Sequence, residues 1–195
     1  MLYAKIVSNV VLIYPYTLQM LEANFPNTSF PEDMTPAFLA TYDVYEVVPT
    51  SQPAYNPATQ KVVEVTPTLN VSVWQQTWAV IALTVPEQDA YKLQFIAQAK
   101  AETIGYLDDF ANTRDYADCD RCCGYYNSTS AQLSGDAVYM VSSRDTVVTQ
   151  AYVIFANIQS GAMPVPTMSA FLAMLPTLAW PNPETWPAVN GTGVL

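Results

Sequence analysis

The spacing of apolar residues changes at Pro86, and that change limits the folds open to the chain more than any other feature. Before it, short β-type runs alternate with turn signals; after it, apolar residues recur at steps of three and four. Strands gathered first and helices second predict an α+β protein. The parts are a small N-terminal antiparallel β module over 1–85, a C-terminal helical module over 86–176 and an extended, proline-rich tail over 177–195.

In the first module, LYAKIV and VVLIYPY flank Ser8-Asn9, a pair suited to a hairpin turn. TLQMLEANF predicts a short helix with Thr17 at its start and Leu18 and Leu21 facing inward. YDVYEVV alternates Val44 and Glu46 against Tyr45 and Val47, and the proline-marked PTSQPAYNPATQ follows as a loop. KVVEVTPTL and VSVWQQTWAVIAL then form an antiparallel pair around Asn70. The later strand sets Trp74, Trp78 and Val80 on one face and Thr77, Ala79 and Ile81 on the other. Both faces are apolar, which predicts a strand that is central or covered on both sides. Core packing is the ordinary role for the two indoles, and ligand stacking the lesser one.

The helical module opens at Thr84-Val-Pro-Glu87, which has the form of a capping box with a proline in the first turn. Leu93, Ile96, Ala97, Ala101, Ile104, Leu107 and Ala111 predict the buried stripe of the first long helix, with Gly105 as a place for a bend or close packing. A second long helix spans about 131–160 and ends at Gly161. It carries two apolar stripes, Val138-Val141-Val148-Tyr152-Phe155 and Met140-Val147-Ala151-Ile154-Ile158. An ordinary surface helix has one stripe, so two predict a central helix or one shared with a neighbouring chain. Arg144-Asp145 lies midway along it, and Asp108 or Asp109 of the preceding helix is the expected partner for Arg144 in a register-fixing ion pair.

The residue inventory removes many chemistries. Histidine is absent, and with it the commonest general base, the Ser–His and Cys–His pairs and the imidazole metal ligand. The six glycines fall in no phosphate-binding pattern. The acidic pairs Glu32-Asp33 and Asp108-Asp109 are adjacent in sequence, so they do not face each other as a catalytic clamp would. The three cysteines, Cys119, Cys122 and Cys123, lack the second ligand pair of a closed zinc site and the strand-then-helix setting of a redox motif. Packing in a compact turn or helix is their expected role. No catalytic, metal or cofactor residue is assigned, and no cofactor is expected.

Charge and composition bear on partners. With 51% hydrophobic and 12% charged residues, the chain has about half the usual charged share, which predicts surface that meets protein rather than water. A net charge of −10 without a basic cluster argues against nucleic acid. No apolar run approaches the roughly eighteen residues of a membrane-spanning helix, and the opening reads as two strands rather than a leader. The sequons at Asn27, Asn70, Asn127 and Asn190 read as by-products of composition. Fifteen prolines, many at segment ends, predict stiff joints. The tail TLAWPNPETWPAVNGTGVL lacks periodicity and is expected to lie against a partner or stay mobile. Candidate contact residues are therefore Trp74, Trp78, Arg144, Asp145, Tyr152, Trp180 and Trp186.

Two segments resemble small tail-associated proteins of tailed bacteriophages. The first carries Tyr14-Pro15-Tyr16, Asn27 to Pro31, Tyr55 to Val62, and a strand with Trp74 and Trp78; it resembles an N-terminal module of tail-fibre-linked proteins. The second, from IGYLDDF through LPTLAWP, resembles a helical module of the same proteins, with Arg144-Asp145 in mid-helix and a Gly-x-x-Pro-x-Pro-Thr exit at 161–167. The resemblance covers most of 1–181. It implies no enzyme, but a virion tail protein assembled in the host cytoplasm and contacting fibre or baseplate subunits as a homo- or hetero-oligomer. A fibre assembly chaperone is the alternative. The cysteines depart from the resemblance, where small residues such as Ser and Ala stand, and that favours packing over chemistry.

Overall fold

The computed structural model describes residues 1–182. The chain is α+β and divides into two compact units, the first Met1–Leu83 and the second beginning at Thr84.

The first unit is a five-stranded sheet: β1 (Leu2–Val7), β2 (Val10–Tyr16), β3 (Val44–Val48), β4 (Gln60–Asn70) and β5 (Val73–Ala82), in the order β2-β1-β3-β5-β4. Ser8 and Asn9 both take positive φ, 49° and 61°, which turns β1 directly into β2. Thr17 caps α1 (Leu18–Asn24), its hydroxyl accepting from the Met20 N–H at 3.2 Å, and Leu21 is buried. A second short helix, α2 (Pro36–Ala40), was not expected from the proline-rich joint. Thr35 is its N-cap and Pro36 opens its first turn, the sequence signal that marks it. Phe25, Phe30, Phe38 and Tyr42 pack edge-on or tilted around these helices. Their cluster with Tyr16, Leu21, Leu39 and Val44 covers one sheet face; Ala4, Ile6, Val47 and Trp74 form a smaller cluster on the other.

The sheet departs from the expected antiparallel pattern at one junction. Residues 49–59 carry the chain to the outer edge before β4 begins, so β5 returns beside β3 in the same direction, pairing Val47 with Trp74 and Val48 with Gln75. That parallel pairing is short. Beyond Gln75, β5 is flanked by β4 alone, and Val80 and Ile81 are about 40% exposed. The expectation of a strand covered on both faces therefore fails over its second half. The β4–β5 turn is Val71-Ser72 rather than Asn70, with φ of 43° and 68°. Register shifts between Val65 and Thr68, where Pro67 supplies no N–H to the ladder.

The second unit contains α3 (Val85–Asn112), α4 (Cys119–Gly124), α5 (Ala131–Ser160) and α6 (Met168–Ala173). The Glu87 carboxylate accepts from the Thr84 N–H at 2.8 Å, as the capping box predicts, and from the Thr84 hydroxyl at 2.8 Å in addition. Ser130 caps α5, and Gly161 ends it in the left-handed region at φ 79°. The buried face of α3 is only in part the predicted one: Ile96, Leu107 and Ala111 are on it as expected, joined by Phe95, Ala99 and Thr103, while Leu93 and Ile104 are each 61% exposed. Ala97 and Ala101 are exposed as well. Two causes rotate the helix. Phe95 meets Phe171 edge-on, with ring centroids 6.1 Å apart, and Thr103 can be buried because its hydroxyl donates to the Ala99 carbonyl at 2.7 Å. Gly105 meets no close neighbour, so close packing there is not its role. On α5 the stripe Met140-Val147-Ala151-Ile154-Ile158 is buried throughout.

Candidate functional site

Beneath the second unit's loops lies a buried ion pair. Arg114, just past the end of α3, faces Asp136 of α5; their side chains are 5% and 6% exposed. Asp136 also accepts from the Tyr116 hydroxyl at 3.0 Å and from the Gln132 amide at 2.8 Å. Burial first, and then the neighbouring Asp136 charge, push the Tyr116 phenol well above its ordinary value, so it stays a donor. The guanidinium donates further to the Asn182 carbonyl and lies 4.4 Å from the Trp180 ring centroid. Every group has a partner within its own unit, which makes this a clamp rather than a reactive centre. Sequence reasoning missed it. The available signal was an acid, Asp136, one turn before Met140 on the buried stripe of α5.

The clamp also corrects the reading of the tail. Trp180 stacks on Phe110 at 4.5 Å and 20°, and its indole N–H donates to the Thr113 hydroxyl at 2.9 Å. The Tyr106 hydroxyl donates to the Pro176 carbonyl at 2.8 Å, and the Ala179 N–H donates to the Tyr139 hydroxyl at 3.2 Å. Residues 177–182 are thus bound to their own helices, and Trp180 is spent there rather than offered to a partner. Trp186 and Asn190 lie outside the described residues.

The expected bridge from Arg144 to Asp108 or Asp109 does not form. Arg144 donates instead to its neighbour Asp145, at 3.2 Å from Nε and 3.1 Å from Nη2, with both side chains exposed to solvent. That bond raises the guanidinium pKa. Asp108 is taken by α4, where it accepts from the Cys119 N–H at 2.9 Å. The helix carrying the cysteines is capped by Asp118, which accepts from the Arg121 N–H at 2.6 Å. Cys119 and Cys122 are buried in the main core, and Cys123 is half-buried. Burial, with the neighbouring Cys123 thiol, pushes both buried thiols up to about 12, so they are protonated and inert at neutral pH.

Around α4 opens a groove of about 330 Å³ lined by residues that include Ile104, Leu107, Asp108, Cys119, Arg144 and Val148. It runs along α3 and α5. One turn further, Lys100 lies 5.8 Å over the ring of Tyr152, which is 57% exposed. Of the second α5 stripe, Phe155 is buried, Val138 and Tyr152 are exposed, and Val141 and Val148 are half-buried. The helix is central through one face and uncovered along the other. Among the sequence candidates, the structure brings Arg144, Asp145 and Tyr152 to this surface.

In the first unit, Trp74 is buried in the sheet and Trp78 donates its indole N–H to the Thr50 carbonyl at 3.1 Å, pinning the loop after β3. Both are structural there. The edge strands β2 and β4 come together where the Tyr14 hydroxyl donates to Glu64, leaving a cleft of about 440 Å³ beside Val11, Leu12 and Val65. Burial and the Glu64 bond push the Tyr14 phenol up to about 12. Among the described residues, no group of three or more Cys, Asp or Glu side chains is placed to hold a metal ion, and no helix is long and apolar enough to cross a membrane. Comparison of the chain with family models, curated proteins and solved structures finds no match.

Proposed function

We propose that this protein is a structural component of a bacteriophage tail, at the baseplate or on a fibre, and that it acts through protein–protein contacts. The observation that carries the contact role is the uncovered face of the α3–α5 pair. Leu93, Ile104, Val138 and Tyr152, each at least half exposed, stand along two helices that each bury one face in the core of their unit. Large exposed apolar side chains on a rigid element mark surface that another protein covers. The low share of charged residues supports the same reading, and the placement in a tail rests on the resemblance of the two modules. Fibre or baseplate subunits are then the partners, and the mature virion the location.

Mass spectrometry of purified particles of the encoding phage tests the placement. The expected result is the chain at fixed stoichiometry with other tail proteins. Presence in infected cells but absence from mature particles would overturn it in favour of an assembly chaperone that leaves.

A further inference from the structure

We infer that residues 176–182 are a displaceable internal ligand, and that the surface of α3 and α5 beneath them is a recognition site for an extended segment bearing a tryptophan. The chain keeps this site filled with its own strap. The strap contributes little to the core. Along the described chain, Leu175 is the last buried member of that core. Beyond it the backbone has no helix or strand, Leu178 and Trp180 are half-buried, and Thr177, Ala179, Pro181 and Asn182 are exposed.

The site is complete without the strap. Phe110 and Tyr139 stand on helices that share one core, with ring centroids 6.2 Å apart. The Thr113 hydroxyl donates to the Phe110 carbonyl at 2.6 Å, which sets its oxygen to accept the indole N–H. Asp136 holds the Arg114 guanidinium through Nη1, and Nη2 turns to the Asn182 carbonyl. A preset acceptor, a held cation and two rings are the parts of an indole socket.

The attachment is that of a bound peptide. Trp180 is the anchor: its ring stacks on Phe110 at 4.5 Å, lies 4.4 Å from the Arg114 guanidinium carbon and is 5.5 Å from the Tyr139 ring. Around it the grip is on main-chain atoms. The Pro176 and Asn182 carbonyls accept from Tyr106 and Arg114, and the Ala179 N–H donates to Tyr139. Extended peptides are recognised in this way, by main-chain bonds around an aromatic anchor. Release leaves no charge unpaired, because Arg114 keeps Asp136, and the freed strap groups turn to water. Opening therefore costs far less than unfolding the unit. The contact is autoinhibitory: a like segment of another chain binds only once the strap lifts.

Titrating the full-length Trp180→Ala chain with an end-blocked peptide of residues 176–182, followed by NMR at Thr113 and Tyr139, tests the site. The expected result is saturable binding. Binding to the wild-type chain should be weaker by about tenfold or more, because its own strap competes at an effective concentration in the millimolar range. The same peptide carrying Trp180→Ala should not bind. In the wild-type chain, the Trp180 indole N–H should exchange with solvent about a hundredfold or more faster than the core amides of α5, through local opening. A folded Trp180→Ala chain that ignores the peptide at several millimolar overturns the inference, as does equal affinity for both chains. So does a Trp180→Ala chain that fails to fold by far-UV circular dichroism, or an indole N–H that exchanges only with global unfolding, since either makes the strap part of the core.

Discussion

Replacing Asp136 by Asn tests whether the Arg114–Asp136 clamp holds the helical unit together. The substitution keeps the shape and removes the charge, leaving Arg114, 9% exposed, without its counter-ion. Removing one partner of a buried ion pair costs about 3–5 kcal/mol, because the remaining charge stays desolvated. The Asn carbonyl can still accept from Arg114 or Tyr116, which places the expected loss at the low end, about 3 kcal/mol. A domain is stable by only about 5–15 kcal/mol, so the loss is a large fraction. With a urea slope of about 2 kcal/mol/M, the midpoint followed by far-UV circular dichroism falls by about 1.5 M. The double variant Arg114→Met, Asp136→Leu removes both charges and fills the space with apolar atoms. It should be more stable than Asp136→Asn, since an apolar pair of similar volume leaves no unpaired charge. A loss under about 1 kcal/mol for Asp136→Asn, or a double variant worse than the single, would refute the assignment of a desolvated clamp.

Cys119 and Cys122 should resist alkylation in the folded chain at neutral pH and react only on unfolding, while half-buried Cys123 reacts first; mass mapping after timed labelling reads the order. The two buried thiols have folded values raised from 9.0 to about 12, so the native state keeps protons that the unfolded chain releases. Their stabilising contribution is complete below pH 9 and is lost as pH rises towards 12, at about 1.4 kcal/mol per pH unit for each thiol. Urea midpoints measured at alkaline pH check the slope, and replacing both thiols by Ala should flatten it. Val71, 90% exposed at φ 43°, holds a conformation that a β-branched residue tolerates poorly; Val71→Asn should stabilise the sheet unit by about 1 kcal/mol in thermal unfolding.

Much of the fold was legible because its signals are local. Ser8-Asn9, Thr17, the Thr84–Glu87 box and Gly161 each act within a few residues, and each stands where the sequence places it. The failures share a different cause. Which face of α3 turns inward depends on what packs against it, and apolarity alone selected Leu93 and Ile104 over Thr103. The hydroxyl of Thr103 is neutralised by its own helix, a bond that depends on the turn already being formed. Arg144 was assigned the buried partner because it stands in an apolar neighbourhood, whereas the buried cation is Arg114, in a loop without periodicity. A loop gives no face to read, so only the acid on α5 could have pointed to it.

The two stripes of α5 were legible, and their division shows how contact surface and core differ. Both have apolar residues at helical steps, so hydropathy treats them alike. The buried stripe is apolar from Met140 to Ile158 apart from Ser143, and Asp136, one turn before it, is buried against Arg114. The uncovered stripe includes Asp145 at the step between Val141 and Val148, and Lys100 lies over the ring of its Tyr152. Charge in a seam buried within one chain loses its hydration and must be paired, as Asp136 is with Arg114. A seam that must keep the separate chain soluble and still find one register gains on both counts, since opposite charges fix alignment and like charges oppose the wrong one. Charge that stays hydrated, as on Asp145, rather than paired beneath the surface, as on Asp136, is therefore what separates the uncovered face of this helix from its core face.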